Sequence, residues 1–177
     1  MLSKKITERL NRQINRELYS AYFYMGMASY ASSLGLNGFA NWFNVQVKEE
    51  LTHAERFYNY VTHQGARAML DDIETPPQDF KSPTDLFERT LGHEQKVTKM
   101  IHDLVDLARK EKDHATETHL AWFVTEQVEE EANATEALQK LALVGKDGNG
   151  LLVLDSQLAA RVFVPPTAAG AQQGVQG

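Results

Sequence analysis

Glu49-Glu50-Leu51-Thr52-His53, in the middle of a long helical segment, decides how this chain is read. Glu50 and His53 stand three apart, so on a helix both leave the same face, about one turn from each other. Outward from the pair, that face carries Phe39, Phe43, Gln46, Phe57 and Tyr60 at alternating steps of four and three. The spacing places a carboxylate and an imidazole inside an aromatic seam that packs into a helical core. A lone buried acid is costly and must be paired, protonated or metal-bound. The rest of the chain has to supply partners for these two.

Helical periodicity continues on both sides. Residues 3 to about 33 read as one helix with Ile6, Leu10, Ile14, Glu17, Ala21, Tyr24 and Ala28 on its seam. Ser3 suits its start and Gly35 its end. Leu36 to Gln64 forms the second helix, entered through Asn37-Gly38 and stopped by Gly65. So short a connection makes the two antiparallel neighbours. Residues 65–82 then lose all helical period and contain a Pro-Pro pair. About 18 extended residues reach about 60 Å, whereas a helix of ~28 residues is only about 42 Å long. This stretch is therefore a crossover along the full height of a bundle, and the third helix runs parallel to the second.

Ser82, Pro83 and Asp85 mark the start of the third helix, whose seam is Phe87, Leu91, Glu94, Thr98, Ile101, Val105 and Ala108. Asp113 caps a fourth, with Leu120, Phe123, Gln127, Glu130, Ala134, Ala137, Leu141 and Val144 on its seam. Gly145, Gly148 and Gly150 read as a turn before a short fifth helix, from about Leu151 to Val162. Past it, the tail of residues 163–177, rich in Ala, Gly and Gln, is expected to be disordered.

Each long helix thus buries polar groups near its midpoint: Glu17, Glu50 with His53, Glu94, and Gln127 with Glu130. Antiparallel packing brings them to one level. Four carboxylates in a dry core cannot all ionise without a cation. Oxygen-rich ligation with one imidazole suits Fe, Mn or Zn, and so many ligands call for two ions. A polar residue on one seam is ordinary; matching positions on four helices are not.

At this point the sequence resembles the ferritin-like di-iron carboxylate family, an all-α four-helix bundle with a long crossover between helices 2 and 3 and a short fifth helix. Glu17, then Glu50-Leu-Thr-His53, then Glu94 follow its ligand order. The fourth helix departs, with Gln127-Val-Glu-Glu130 where a second Glu-x-x-His would stand. That departure looks like the non-haem bacterial ferritins. A haem-binding relative would carry a Met beside the first pair, where this chain has Thr52, so no haem is expected. The resemblance covers residues 1 to about 162 as a single domain.

What the resemblance implies is a ferroxidase centre. Glu17, Glu50 and His53 would hold one iron, with Glu50 bridging to a second held by Glu94 and, more weakly, Glu130. Gln127 would hydrogen-bond on the oxygen-binding side. Glu49, Glu126 and Glu129 resemble a third iron site, although solvated acids on a helix face explain them equally well. Tyr24 matches a family tyrosine that hydrogen-bonds a ligand or gives up an electron. Trp122 has a family counterpart too, with core packing as the alternative. The implied reaction is oxidation of Fe(II) to Fe(III) by O2 or H2O2 and storage as a ferric mineral in a shell of twenty-four copies. His63, His93, His102, His114 and His119 read as surface or packing residues. Glu117, with Asp113 and His114, is a candidate for an ion pore of such a shell.

Composition sets the outer limits. With 42% hydrophobic and 24% charged residues, the 177-residue chain suits one globular domain. A net charge of -6 disfavours nucleic-acid partners and favours attracting cations. The sequence has no cysteine, which excludes thiolate and iron–sulfur sites. No signal-peptide pattern or membrane-length apolar run is present, so the expected location is the cytoplasm, with no membrane partner. Zero cysteine also disfavours a rubrerythrin-like enzyme, and the missing second His disfavours a di-iron oxygenase. A small-shell DNA-protecting relative would place iron between subunits and need no fifth helix. A purely helical interaction module would bind no iron at all.

Overall fold

The computed structural model describes residues 2–165 and contains five helices: α1 (Lys4–Ser33), α2 (Asn37–His63), α3 (Pro83–Lys110), α4 (His114–Val144) and α5 (Gly148–Leu158). Among the described residues there is no strand, and no helix is long and apolar enough to cross a membrane. Only residues 163–165 of the expected tail are described, and they belong to no helix; the rest lies outside the described residues.

Local chemistry sets most of the boundaries. Ser3, Ser82 and Asp113 each accept a backbone N–H three residues on, at Ile6, Asp85 and Thr116. Such caps are each worth about 1 kcal/mol. Asp85 returns its carboxylate to the Lys81 N–H rather than to that of Ser82, one residue earlier than a capping box would. Gly35, Gly65 and Gly145 take positive φ just beyond α1, α2 and α4, where a left-handed residue ends a helix.

The fifth helix differs from its sequence reading. It starts at Gly148 rather than near Leu151 and ends at Leu158 rather than Val162. The cause is Asp147, whose side chain accepts from the N–H groups of Asn149 and Gly150 and draws both into the first turn.

α1 and α2 form one antiparallel hairpin, α3 and α4 the other. The crossover is laid along the outside of α1. Asn11 Nδ2 donates to Arg67 O, Asn15 Nδ2 to Asp72 O, Arg16 pairs with Glu74 at 3.0 Å, and Phe80 is buried against Tyr30. It therefore travels the height of the bundle and sets α3 parallel to α2. The seams close into two apolar clusters. One is built around Tyr24, Met27, Phe39, Phe43, Phe87 and Leu141, and the other around Leu10, Ile14, Phe57, Ile101, Leu120 and Phe123. Between them lies the polar level.

α5 docks on the start of α2 by exchanged caps. Leu36 gives α2 no side-chain cap, and Asp155 Oδ1 supplies one, accepting from Gly38 N at 2.8 Å and Phe39 N at 3.0 Å. The approach is so close that a Cβ at Gly38 would stand 1.6 Å from the Asp155 carbonyl oxygen. Gly38→Ala should consequently push α5 away at a cost of about 2 kcal/mol. That corresponds to a Tm drop of about 4–8 °C for a chain of this size. An unchanged Tm by calorimetry would mean that α5 contributes nothing to stability.

Candidate metal centre

Seven side chains of the polar level are almost sealed from solvent: Glu17 is 1% exposed, Glu50 2%, His53 3%, Glu94 1%, Gln127 4%, Glu130 3% and Tyr24 0%. α1 supplies Glu17 and Tyr24, α2 supplies Glu50 and His53, α3 supplies Glu94, and α4 supplies Gln127 and Glu130. Each is placed by the seam periodicity of its own helix, at the level between the two apolar clusters.

Among the described residues, two groups of ligand atoms converge. Glu17, Glu50 and His53 each offer one donor atom, all within 4.8 Å of one another, and all three residues are buried. Within this trio Glu50 Oε2 lies 3.5 Å from His53 Nδ1. Glu17 Oε1 accepts from Gln13 Nε2 at 2.8 Å, while its buried Oε2 has no hydrogen-bond partner among the described residues. A buried carboxylate oxygen with free lone pairs is rare unless something else binds it. The second group is His53, Glu126 and Glu130, with His53 Nε2 3.9 Å from Glu126 Oε1.

Glu94 and Glu130 are positioned by amides. Glu94 Oε1 accepts from the Tyr24 hydroxyl and Oε2 from Gln127 Nε2 at 3.1 Å. The same amide reaches Glu94 O and Thr98 Oγ1, both at 3.3 Å. Glu130 Oε2 accepts from Gln46 Nε2 at 2.9 Å. Amide donors hold a carboxylate in place without neutralising it, so its charge stays available to a cation.

The electrostatics are those of a site short of positive charge. Burial raises Glu94 to about 7 against the hydrogen bonds from Tyr24 and Gln127. Burial, joined by the charges of Glu94 and Glu49, raises Glu130 to about 8. Glu50 lies well above the usual carboxylate range, chiefly through burial, although His53 beside it opposes this. Burial disfavours the His53 imidazolium, but the Glu126 and Glu50 carboxylates beside it outweigh that and raise it well above 6.5. Burial and the Glu94 and Glu50 charges keep Tyr24 a neutral phenol. Without a cation, this level neutralises itself with protons; a metal ion can displace them. Hard oxygen donors with one imidazole suit a first-row ion such as iron, manganese or zinc.

The outer acids are less uniform than their sequence pattern. Glu126 joins His53, Glu49 is engaged by Arg161 at 2.7 Å, and Glu129 is exposed and belongs to neither convergent group. Glu94 also falls outside both groups. Trp122 stands edge-on to His53, ring centres 5.4 Å apart, beneath the Arg56 guanidinium at 4.0 Å. His93 is held by Ser20 at 2.8 Å among Tyr19, Phe23 and Tyr24, and His119 stacks on Tyr60 at 3.9 Å. Both pack rather than join the convergent groups, while His63, His102 and His114 are exposed. Glu117 pairs with Arg109 at 2.7 Å, and Asp113 is the α4 cap.

Sequence reading gave no role to Gln13, Gln46 or Arg161. Gln13 was within reach of it, lying one turn before Glu17 on the same face. Gln46 sits on the α2 seam, but its partner is on another helix. Arg161 reaches Glu49 across most of the chain, which no local pattern reveals.

Known proteins share this arrangement of helices. The family model for the ferritin-like domain matches residues 7–144. A bacterial non-heme ferritin of Staphylococcus aureus is 41% identical over 163 residues, spanning 92% of this chain and 98% of that protein. Its counterpart in Staphylococcus epidermidis is 40% identical over the same length. Among solved structures, an open pore ferritin of the hyperthermophilic archaeon Archaeoglobus fulgidus is 50% identical and superimposes with a TM-score of 0.91, covering 92% of this chain and 100% of that one. A closed form engineered from the Archaeoglobus fulgidus ferritin by site-directed mutagenesis gives the same TM-score at 50% identity, covering 93% and 100%.

Proposed function

Because this chain belongs to the ferritin family, we propose that it stores iron, oxidising Fe(II) at the mid-bundle carboxylates and keeping the product as a ferric mineral inside a shell of twenty-four copies. The observation that carries this reading is the convergence of Glu17, Glu50 and His53 within 4.8 Å in the core, with one Glu17 oxygen lacking a hydrogen-bond partner among the described residues.

In this reading Fe(II) is substrate. One ion binds Glu17, Glu50 and His53; a second binds Glu50, Glu94 and Glu130, with Glu50 shared. Each ion gives up one electron. O2 takes two electrons and two protons to become H2O2, or H2O2 takes two of each to become water. Anionic oxygen ligands stabilise Fe(III) over Fe(II), which lowers the barrier to electron loss. Gln127 adds a hydrogen bond and no charge, so the second ion is held more weakly and is the readier to leave. Tyr24 orients Glu94 as a neutral donor. Protons displaced from Glu94 and Glu130 make Fe(II) binding stronger as pH rises through 7 to 8.

The deciding experiment adds excess Fe(II) in air and sizes the product. Hundreds of irons travelling with a particle of several hundred kilodaltons would support storage in a shell. About two irons per chain on a small oligomer would instead mean a di-iron enzyme acting on another substrate. His53→Ala should weaken the Glu17–Glu50 position by at least about tenfold, read by anaerobic Co(II) titration. Two equivalent sites of unchanged affinity in that variant would refute the ligand assignment.

A further inference from the structure

Glu49 precedes Glu50 on α2, and its carboxylate already faces a cation that the chain itself supplies. Arg161 Nη2 donates to Glu49 Oε2 at 2.7 Å, and Nη1 donates to Trp42 O at 3.3 Å. The guanidinium carbon lies 4.5 Å over the Trp42 ring. Two hydrogen bonds and an aromatic face hold the group from different sides, which suits arginine and not lysine. The side chains are only 20% and 21% exposed, so solvent screens this pair less than an ordinary surface pair.

The backbone beneath Arg161 is equally fixed. Asn41 Nδ2 donates to the carbonyls of Leu158 and Ala159 at 3.3 Å and of Arg161 at 2.9 Å, closing the end of α5. At the other end of the same contact, Asp155 caps α2. Arg161 therefore reaches Glu49 on a rigid arm.

Glu49 also belongs to the electrical surroundings of the metal centre. The charge of Glu126 acts on it, and its own charge acts on Glu130. Glu126 and Glu130 converge with His53. Freed from Arg161, Glu49 would add a third carboxylate to that side of the bundle, enough to attract a further divalent ion. With Arg161 in place, a fixed positive charge stands at Glu49 and repels one.

Building on the di-iron reading above, we infer that Arg161 is a built-in cation that takes the part of a third metal ion at Glu49 and limits each subunit to two bound divalent ions.

The test titrates the full-length assembled protein with Co(II) without oxygen and counts ions bound per chain by equilibrium dialysis. The expected counts are two for the unaltered chain, three for Arg161→Gln, and two again when Glu49→Gln is added to Arg161→Gln. Glu49→Gln alone should leave the count at two, because Glu49 holds no metal while Arg161 is present. Three ions in the unaltered chain, a loss of one on Glu49→Gln, or two in a folded Arg161→Gln protein would overturn the inference. Should Arg161→Gln fail to assemble, Glu49→Gln decides alone. Fewer than two ions in the unaltered chain would instead remove the di-iron reading on which this one rests.

Discussion

Glu94→Ala should leave the protein folded and assembled while slowing Fe(II) oxidation at least about 100-fold, since even partners that merely orient a metal ligand are worth 10–100-fold in affinity or activity. The structure gives reasons for both halves of that expectation. Glu94 is the only proposed ligand on α3, and both its oxygens are aimed by other helices, one by Tyr24 from α1 and one by Gln127 from α4. Removing it takes away a charge that no neighbour on α3 can replace. The fold is spared because Glu94 is itself a burden on the metal-free bundle, with burial holding its carboxyl near 7. The Tyr24 hydroxyl and the Gln127 amide lose a partner, but Gln127 keeps Thr98 Oγ1 within reach. Stopped-flow oxidation at one fixed Fe(II):chain ratio, with sizing of the variant, makes the comparison. Oxidation at the unaltered rate would show that the second ion does not use Glu94.

The second large effect is on stability against pH. Between pH 6.5 and 8 the metal-free protein should lose on the order of a few kcal/mol, or about 10 °C in Tm, and excess Zn(II) should restore it. In the folded chain Glu94 and Glu130 titrate at about 7 and about 8, above the ordinary 4.5. Between those values the folded state holds protons that the unfolded state has released. Their stabilising contribution is full below pH 4.5 and is lost as pH rises through 7 and then 8. Glu50 and His53, both raised, act in the same direction. His93 and His119 act the other way. Burial first, then Lys96 and Arg16 for His93 and Arg56 for His119, lower each from 6.5 to about 4. Their contribution is present above pH 6.5 and is lost as pH falls toward 4, so they do not interfere in the upper window. Calorimetry of chelator-treated protein at pH 6.5 and pH 8 measures the slope. A metal-free Tm that holds steady or rises across that interval would show that the carboxylates are not burdened as described.

The fold was legible wherever a single helix declares itself. Ser3, Ser82 and Asp113 announced three helix starts, and the crossover followed from chain length against helix height. The fifth helix ends earlier than its sequence reading because Ala159 and Ala160 carry no stop signal, while the chain there is taken up by Asn41, a residue more than a hundred positions earlier. The same division holds for the centre. Glu17, Glu50, His53, Glu94 and Glu130 sit on seams and could be found from periodicity alone. Which atoms meet could not. Periodicity fixes a residue's face and height, but not whether Glu126 turns toward His53 or Glu129 away from it. Those choices depend on packing between helices, and for Glu49 on an arginine from beyond α5.

The arrangement of the two hairpins has a consequence for how the protein matures. Glu17, Glu50 and His53 all lie on the α1–α2 hairpin, whereas Glu94, Gln127 and Glu130 lie on the α3–α4 hairpin. Contacts within each hairpin are local in sequence and form fast; those between hairpins wait on closing the crossover loop. During synthesis the amino-terminal hairpin emerges first. The trio proposed for the first ion is therefore complete in chain terms before Glu94 and Glu130, proposed for the second, have been made. Occupancy of the second position then becomes a chemical report that the two halves have docked.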